Sequence, residues 1–200
     1  CAYTPIVGSG NNSCILHYNQ NDRQMEDGDL VLVDAGCEYQ GYASDITRTF
    51  PVNGKFSPEQ KAIYEIVLEA HKNCIEMLKP GVSWMQVHKK SIETITSGLI
   101  DIDLLKGSLE ENIELEKYSK FYMHKVGHWL GLDVHDVGGY GSEGNWRLME
   151  QGMVTTIEPG IYIKEGLEDV PEKFHKIGIR IEDDVLIENG GHQVLSSNVP

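Results

Sequence analysis

Three histidines stand close together in the second half of the chain, and they define its first candidate site. His124, His128 and His135 lie within twelve residues, in a segment that glycines interrupt at several positions. Glycine lets backbone and ligands approach closely. Imidazoles at this density are typical of metal binding or acid–base catalysis, although histidines also occur as hydrogen-bonded core residues and as surface groups. The choice between these interpretations depends on whether other ligating side chains converge on the segment.

Acidic residues that end apolar runs are the candidate partners. Asp34 follows the run 30–33, and Glu158 follows the run 154–157 and precedes Pro-Gly. A short continuous apolar run is typical of a buried strand. These two carboxylates are therefore expected at strand ends beside a core, and the alternative is that they are surface acids next to turns.

Asp45 lies in a second predicted strand, residues 41–50, where β-prone residues alternate. If the chain turns tightly at Tyr39 and Gln40, the hairpin register places Asp45 directly opposite Asp34. Two carboxylates that face each other in a sheet repel, and both ionise only at a cost. A divalent cation between them would remove that cost.

The segment 178–187 alternates so regularly that it predicts one strand, with Arg180, Glu182 and Asp184 on one face. A half-buried strand with polar residues facing solvent has the same pattern. If Asp34, Asp45, Glu158 and Glu182 converge on one of the histidines, four carboxylates and one imidazole nitrogen form a single site. Such oxygen-rich ligands suit manganese, cobalt or zinc, and their four charges balance two divalent ions. Without a thiolate, a structural zinc site is disfavoured.

Helices and further strands are predicted around these residues. Ser57 and Pro58 begin an amphipathic helix that ends before Pro80, and a second helix runs from Ser83 to about Gly98. His71 and His88 lie on these helices and are interpreted as structural. Residues 14–18 predict a short strand with His17 near its end, and residues 99–118 form a connector with one or two helical turns.

Composition limits the classes of function. Seventeen basic and 31 acidic residues give a net charge of −14, which argues against nucleic acid as a partner. No apolar run reaches the ~18 residues of a membrane span, so no membrane partner is expected. Four cysteines without Cys-x-x-Cys spacing predict free thiols in a reducing, cytoplasmic setting. A chain of 200 residues that begins at Cys1 is expected to be one domain of a longer protein.

Five motifs, in order, resemble those of the Xaa-Pro aminopeptidases and prolidases, a family of pita-bread metallopeptidases. They are Asp34-Ala-Gly, Ser44-Asp45-Ile-Thr-Arg48-Thr-Phe, Gly127-His128-Trp-Leu-Gly-Leu-Asp-Val-His135-Asp, Thr156-Ile-Glu158-Pro-Gly and Gly178-Ile-Arg180-Ile-Glu182-Asp. The run 34–56 looks most similar to the bacterial aminopeptidase P type. The resemblance implies an α+β pita-bread fold with a pseudo-twofold duplication. Residues 1–200 would form the catalytic domain, partial at its N-terminus, with the family's separate N-terminal domain absent.

The resemblance also implies a role for each site residue. Asp34 would bind one metal, His128 and Glu158 the other, and Asp45 and Glu182 both. The residues assigned to catalysis are His124, His135 and Glu158. The residues assigned to the substrate are His17, His124, His135, Tyr162 and Arg180. Two divalent ions, manganese first and cobalt or zinc otherwise, would share a hydroxide that attacks the bond before proline, while His124 or His135 stabilises the oxyanion. Glu158 would carry the proton to the proline nitrogen. Proline-containing peptides would be the substrates, and the full-length protein would be a homo-oligomer.

Four alternatives stay open. A prolidase would cut only dipeptides, and Gly138-Gly139-Tyr140 is compatible with it. Methionine aminopeptidases share the ligand set, but the histidine segment and Glu158-Pro-Gly-Ile-Tyr match the proline-specific branch better. Non-catalytic pita-bread binding modules and creatinase-like, metal-free hydrolases are disfavoured, because no ligand position is lost.

Overall fold

Three helices and twelve short strands make up the fold, and the computed structural model describes all 200 residues. The helices are α1 (Pro58–Met77), α2 (Trp84–Asp101) and α3 (Leu109–Glu114). The strands are β1 (Ile6–Ser9), β2 (Leu30–Asp34), β3 (Glu38–Tyr39), β4 (Tyr42–Ala43), β5 (Thr47–Pro51), β6 (Gly141–Ser142), β7 (Asn145–Trp146), β8 (Val154–Ile157), β9 (Gly160–Ile163), β10 (Ile177–Arg180), β11 (Asp183–Glu188) and β12 (Gly191–Val194). Short 3-10 helices cover Gly10–Cys14, Lys117–Lys120 and Glu172–Phe174. This mixture confirms the predicted α+β class.

The first antiparallel sheet has the strand order β1-β2-β5, with β2 in the centre. Asp34 pairs with Thr47, so the predicted pairing of Asp34 with Asp45 is wrong by two residues. The physical reason is the turn between β3 and β4, which lies at Gln40 and Gly41 rather than at Tyr39 and Gln40. Both turn residues have positive φ, 52° and 81°, as a type I′ hairpin turn requires. Residues 44–46 also interrupt the predicted strand, which divides into β4 and β5.

Helices α1 and α2 begin where the sequence predicts. Ser57 and Ser83 cap them, each with a reciprocal bond from the glutamine three residues later. The first helix ends at Met77 as expected, and the second continues to Asp101, past its predicted end. Because the capping box is a local signal, both starts are readable from the sequence. The connector contains α3, in agreement with the prediction.

The second sheet has the order β12-β11-β8, and β9 pairs with β10 in a separate hairpin. The single strand predicted over residues 178–187 is therefore wrong, because β10 and β11 belong to different sheets. Between them, the Ile181 N–H points to the Pro159 carbonyl and the Glu182 N–H to the Thr47 carbonyl, 3.1 Å away. These long-range bonds break the strand at Glu182.

The β1-β2-β5 sheet with the β3–β4 hairpin is the first half of the fold, and the strands β8 to β12 form the second half. Both helices pack on the second half. Ile63 and Val67 of α1 and Leu99 of α2 are buried against Ile161 of β9 and Ile179 of β10. A smaller cluster joins the end of α1 and the start of α2 to β8 and β11. The apolar faces of the helices thus fix the strands whose ends carry Glu158 and Glu182. No helix here is both long and apolar enough to cross a bilayer.

The strand predicted at residues 14–18 does not form. A 3-10 helix ends at Cys14, where the Ser13 hydroxyl donates to the Gly10 carbonyl, and His17 lies in the turn that follows. The Ile15 and Tyr18 N–H groups donate to carbonyls three residues earlier, so local turns use amides that a strand would have paired with a neighbouring strand. The turn leaves His17 exposed.

Candidate metal centre

The five predicted ligands meet, and each stands at a strand end or in a gap between strands. Asp34 is the last residue of β2, and Asp45 lies between β4 and β5. His128 precedes Trp129, which bridges to Thr155 of β8. Glu158 follows β8 directly, and Glu182 lies between β10 and β11. Side chains from both halves of the fold thus converge, and their roles as ligands stay predictions.

His128 lies among the acids. Its Nε2 is 3.3 Å from Oδ2 of Asp45 and 3.6 Å from Oε1 of Glu158. One ligand atom each from Asp45, His128 and Glu182 can be chosen so that all three lie within 4.8 Å of one another. The Nδ1 atom lies 3.1 Å from the Trp129 carbonyl, which can only accept, so Nδ1 carries the hydrogen. The Nε2 lone pair is then available to a cation.

Glu182 is the residue that points most directly to cation binding. Its side chain is 1% exposed, and Oε2 accepts a hydrogen bond of 2.6 Å from the Thr47 hydroxyl, while Oε1 has no partner at all. A buried carboxylate oxygen without a partner is costly. Burial and the neighbouring acids Glu158, Asp45 and Asp34 raise the pKa of Glu182 well above its usual range. Burial also raises the pKa of Glu158 to about 7, although Arg180 and His128 oppose the shift. The donor set therefore fits hard divalent cations.

A chain of hydrogen bonds runs from Asp34 to His124. Arg180 donates to Oδ2 of Asp34 at 2.5 Å and to the Tyr162 hydroxyl at 3.0 Å. The Tyr162 oxygen lies 2.9 Å from Nε2 of His124, whose Nδ1 lies 2.8 Å from the Lys125 carbonyl. Burial, with the charge of Arg180, lowers the pKa of His124 to about 4, so its ring is neutral. In this arrangement Nδ1 donates to the carbonyl and Nε2 accepts from Tyr162.

A cavity of about 640 Å³ opens beside the centre. The predicted site residues that line it are His17, Asp34, Asp45, His124, His128, His135, Glu158, Arg180 and Glu182. Tyr162 is the exception, since its side chain is buried and contacts Arg180 and His124 beneath the cavity. The His135 ring stands edge-on to His128, with 4.3 Å between centroids, and is exposed. Trp84, Tyr140 and Trp146 form an aromatic wall.

Sequence reasoning missed Tyr3. Its hydroxyl contacts Oδ1 of Asp34 and lies 2.6 Å from Oδ1 of Asp45, so one phenol joins the two carboxylates. Burial and both carboxylates raise the pKa of Tyr3, which stays protonated. No local signal could have found this residue, because it precedes the first strand and its partners lie more than thirty positions away.

Residues 1–189 match the metallopeptidase family M24. The chain belongs to this family. Among curated M24 relatives, it is 56% identical to an Xaa-Pro aminopeptidase of Haemophilus influenzae and 52% identical to that of Escherichia coli. These matches cover 100% and 99% of this chain but only 46% and 44% of the relatives. The chain thus spans less than half the length of the curated relatives it matches.

Solved structures agree with the M24 assignment. Aminopeptidase PepP from Pseudomonas aeruginosa has a TM-score of 0.97 and 54% identity, over 100% of this chain and 45% of that one. Escherichia coli aminopeptidase P with the inhibitor Pro-Leu has a TM-score of 0.96 and 52% identity, with the same coverage. The predicted pita-bread fold is therefore confirmed.

Proposed function

We propose that this chain forms the catalytic region of an Xaa-Pro aminopeptidase. Such an enzyme releases an N-terminal residue that precedes proline. The observation that carries the proposal is the convergence of three carboxylates, Asp45, Glu158 and Glu182, around His128, with Oε1 of Glu182 unpartnered. The fourth carboxylate, Asp34, is joined to Asp45 through the Tyr3 hydroxyl. In a protein that only binds a partner, nothing would offset the cost of burying the unpaired carboxylate of Glu182. Relatives named Xaa-Pro aminopeptidase, at 52–56% identity, support the choice of substrate.

The proposed cofactor is a pair of divalent cations, with manganese preferred to cobalt or zinc. Asp34 would hold one cation, His128 and Glu158 the other, and Asp45 and Glu182 both. When bound, the cations would polarise the peptide carbonyl and lower the pKa of a water molecule. Nε2 of His128 faces the acids, because Nδ1 is committed to the Trp129 carbonyl. The His128 ring is thus held in an orientation that suits the proposed role.

Glu158 is the proposed proton carrier. Its side chain is only partly buried, at the edge of the cavity, 3.6 Å from His128 and 4.0 Å from Nε of Arg180. A carboxylate in this position reaches both the centre and the space for substrate. It can therefore take a proton on one side and release it to the proline nitrogen on the other.

His135 is favoured over His124 as the group that stabilises the oxyanion. Both ring nitrogens of His124 are engaged, one with the Lys125 carbonyl and one with Tyr162. His135 lines the same cavity, is exposed and lies against His128. It keeps a ring nitrogen for the substrate carbonyl. His124 and Tyr162 then position Arg180, which holds Asp34.

The peptide nitrogen of proline carries no hydrogen, so an enzyme cannot recognise the bond before proline through a hydrogen bond from that nitrogen. Recognition of the proline ring then relies on the shape of the cavity. The aromatic wall of Trp84, Tyr140 and Trp146 gives the cavity an apolar side that suits a proline-containing peptide. We propose that the protein works in the cytoplasm, in keeping with four free cysteines. A homo-oligomer of the full-length protein is also proposed.

The deciding experiment combines metal analysis with a peptide series on the full-length protein. Peptides Xaa-Pro, Xaa-Pro-Yaa and longer are compared with Xaa-Ala analogues of the same length. We expect two equivalents of metal and release of Xaa from the tripeptide and longer peptides with proline. Cleavage confined to the dipeptide would indicate a prolidase. Metal-free protein that cleaves no peptide would contradict the proposal and favour a binding module.

A further inference from the structure

Asp184 is a buried acid that lies outside the ligand set and meets one of the ligands. Its side chain is 4% exposed. Both carboxylate oxygens accept from the backbone N–H of Asp45, at 3.1 and 3.3 Å. This contact crosses 139 positions of sequence and joins β11 of the second half to the gap between β4 and β5 of the first.

No lysine, arginine or histidine forms an ion pair with Asp184, because Arg48 and His71 pair with its neighbour Asp183 instead. Burying a carboxylate without a cation is costly, and an uncharged acceptor would satisfy one amide at less expense. The reason for burying Asp184 is therefore sought in its hydrogen-bond partner, the backbone N–H of Asp45.

The backbone of Asp45 lies in a gap of the sheet. On either side, Ser44 donates to the Cys37 carbonyl and the Ile46 carbonyl accepts from Ala35, so hairpin bonds flank the residue. The N–H of Asp45 itself points across the halves to Asp184. Fixing this N–H fixes the direction of the Asp45 side chain, which carries Oδ2 to within 3.3 Å of Nε2 of His128.

The contact has a counterpart at the other proposed bridging ligand. The Glu182 N–H donates a hydrogen bond of 3.1 Å to the Thr47 carbonyl. The relation is reciprocal: Thr47, two positions after Asp45, holds Glu182, and Asp184, two positions after Glu182, holds Asp45. Asp184 is itself anchored, because its N–H donates to Ser196 at 3.0 Å and its carbonyl accepts from Leu195 at 2.8 Å. The backbone of Asp184 is thus held at both its N–H and its carbonyl.

We propose that Asp184 is a positioning residue that aims Asp45 at both metals. The inference rests on the proposed function, since it requires a dinuclear centre. It assigns Asp184 no contact with metal or substrate. The carboxylate acts through the amide of Asp45, and the reciprocal bond at Glu182 fixes the second bridging ligand.

The test uses three substitutions in the full-length protein, titrated with Co²⁺ and Mn²⁺ alone. D184A removes the acceptor, D184E moves it by one methylene, and D184N keeps an oxygen at the same place without the charge. We expect D184A and D184E to bind the second metal about 10- to 100-fold more weakly and to change the visible absorption of the Co²⁺ form. D184N restores the affinity to within about threefold of wild type, because its amide oxygen still accepts.

S13A is the matched control. The hydroxyl of Ser13 accepts a hydrogen bond of 3.0 Å from the Gly178 N–H. This bond is also buried and also joins the halves, but it involves no proposed ligand. We expect S13A to lose stability and keep both metal affinities. Wild-type affinity in D184A or in D184E overturns the inference, as does equal loss in D184N and D184E. If D184A does not fold, D184E and D184N decide. Wild-type protein that binds fewer than two metals contradicts the proposed function instead.

Discussion

Acid is expected to destabilise this fold through one buried histidine outside the metal centre. His88 on α2 is 6% exposed, its ring is stacked on Trp84 and edge-on to Tyr122, and its Nδ1 has no partner. Burial, together with the charge of Lys125, lowers the pKa of His88 from 6.5 to about 4. The folded protein therefore holds this ring neutral while the unfolded chain protonates it. The perturbation that isolates the effect is H88F, which keeps a flat ring and removes the titration.

The size of the effect follows from the two pKa values. Because the folded pKa is the lower one, the contribution of His88 to stability is complete above pH 6.5 and is lost as the pH falls toward 4. At pH 5 the unfolded state gains about 2.1 kcal/mol from protonation and the folded state about 0.1 kcal/mol. Wild type should therefore lose ~2 kcal/mol more than H88F between pH 8 and pH 5.

Urea unfolding at pH 8, 6.5 and 5, followed by far-UV circular dichroism, measures this difference. All other groups titrate in both proteins, so the comparison between them cancels the carboxylates and the remaining histidines. Any loss of packing or of a hydrogen bond in H88F lowers its free energy of unfolding by the same amount at every pH, so it does not change the pH dependence. Identical pH dependence in the two proteins would refute the argument, because it would mean that His88 keeps an ordinary pKa in the fold.

The other predictions concern the centre and the first helix. E182Q and D45N should lose metal and activity together, measured by metal analysis and an Xaa-Pro peptide assay, and wild-type hydrolysis by either variant would exclude a dinuclear site. H135A should keep its metal and lose about 10²-fold in kcat, and a loss of metal from this variant would make His135 a ligand. S57A should unfold with ~1 kcal/mol less free energy, because the capping box of α1 is removed, and an unchanged urea midpoint would contradict that assignment.

Local signals explain which parts of the fold the sequence predicts. Ser57 with Gln60, and Ser83 with Gln86, specify the starts of two helices through bonds three residues apart. The β3–β4 turn also has a local signal, because a glycine at position 41 favours the second place of a type I′ turn. With Gly41 in that place, the register that pairs Asp34 with Thr47 follows directly.

Other features have no local signal. Glu182 interrupts an alternating segment because its N–H donates to Thr47 in the other half, and nothing near Glu182 in the sequence shows this. The contact of Tyr3 with Asp34 and Asp45 is equally distant. Long-range bonds of this kind arise only when the halves meet, so pattern and propensity cannot predict them.

The four proposed carboxylate ligands each lie at a strand end or in a gap between strands, and this position determines how they are oriented. A side chain inside a regular ladder has its direction set by the pleat, whereas a residue at a strand end or gap can be aimed by side-chain bonds. Asp34 ends β2 and is held by Arg180, which lies at the end of β10 in the other half. Asp45 is held across the halves by Asp184 in the same way. The contacts that close the two halves of the fold are thus the contacts that orient the proposed ligands, so a change that separates the halves should impair metal binding before it unfolds either sheet.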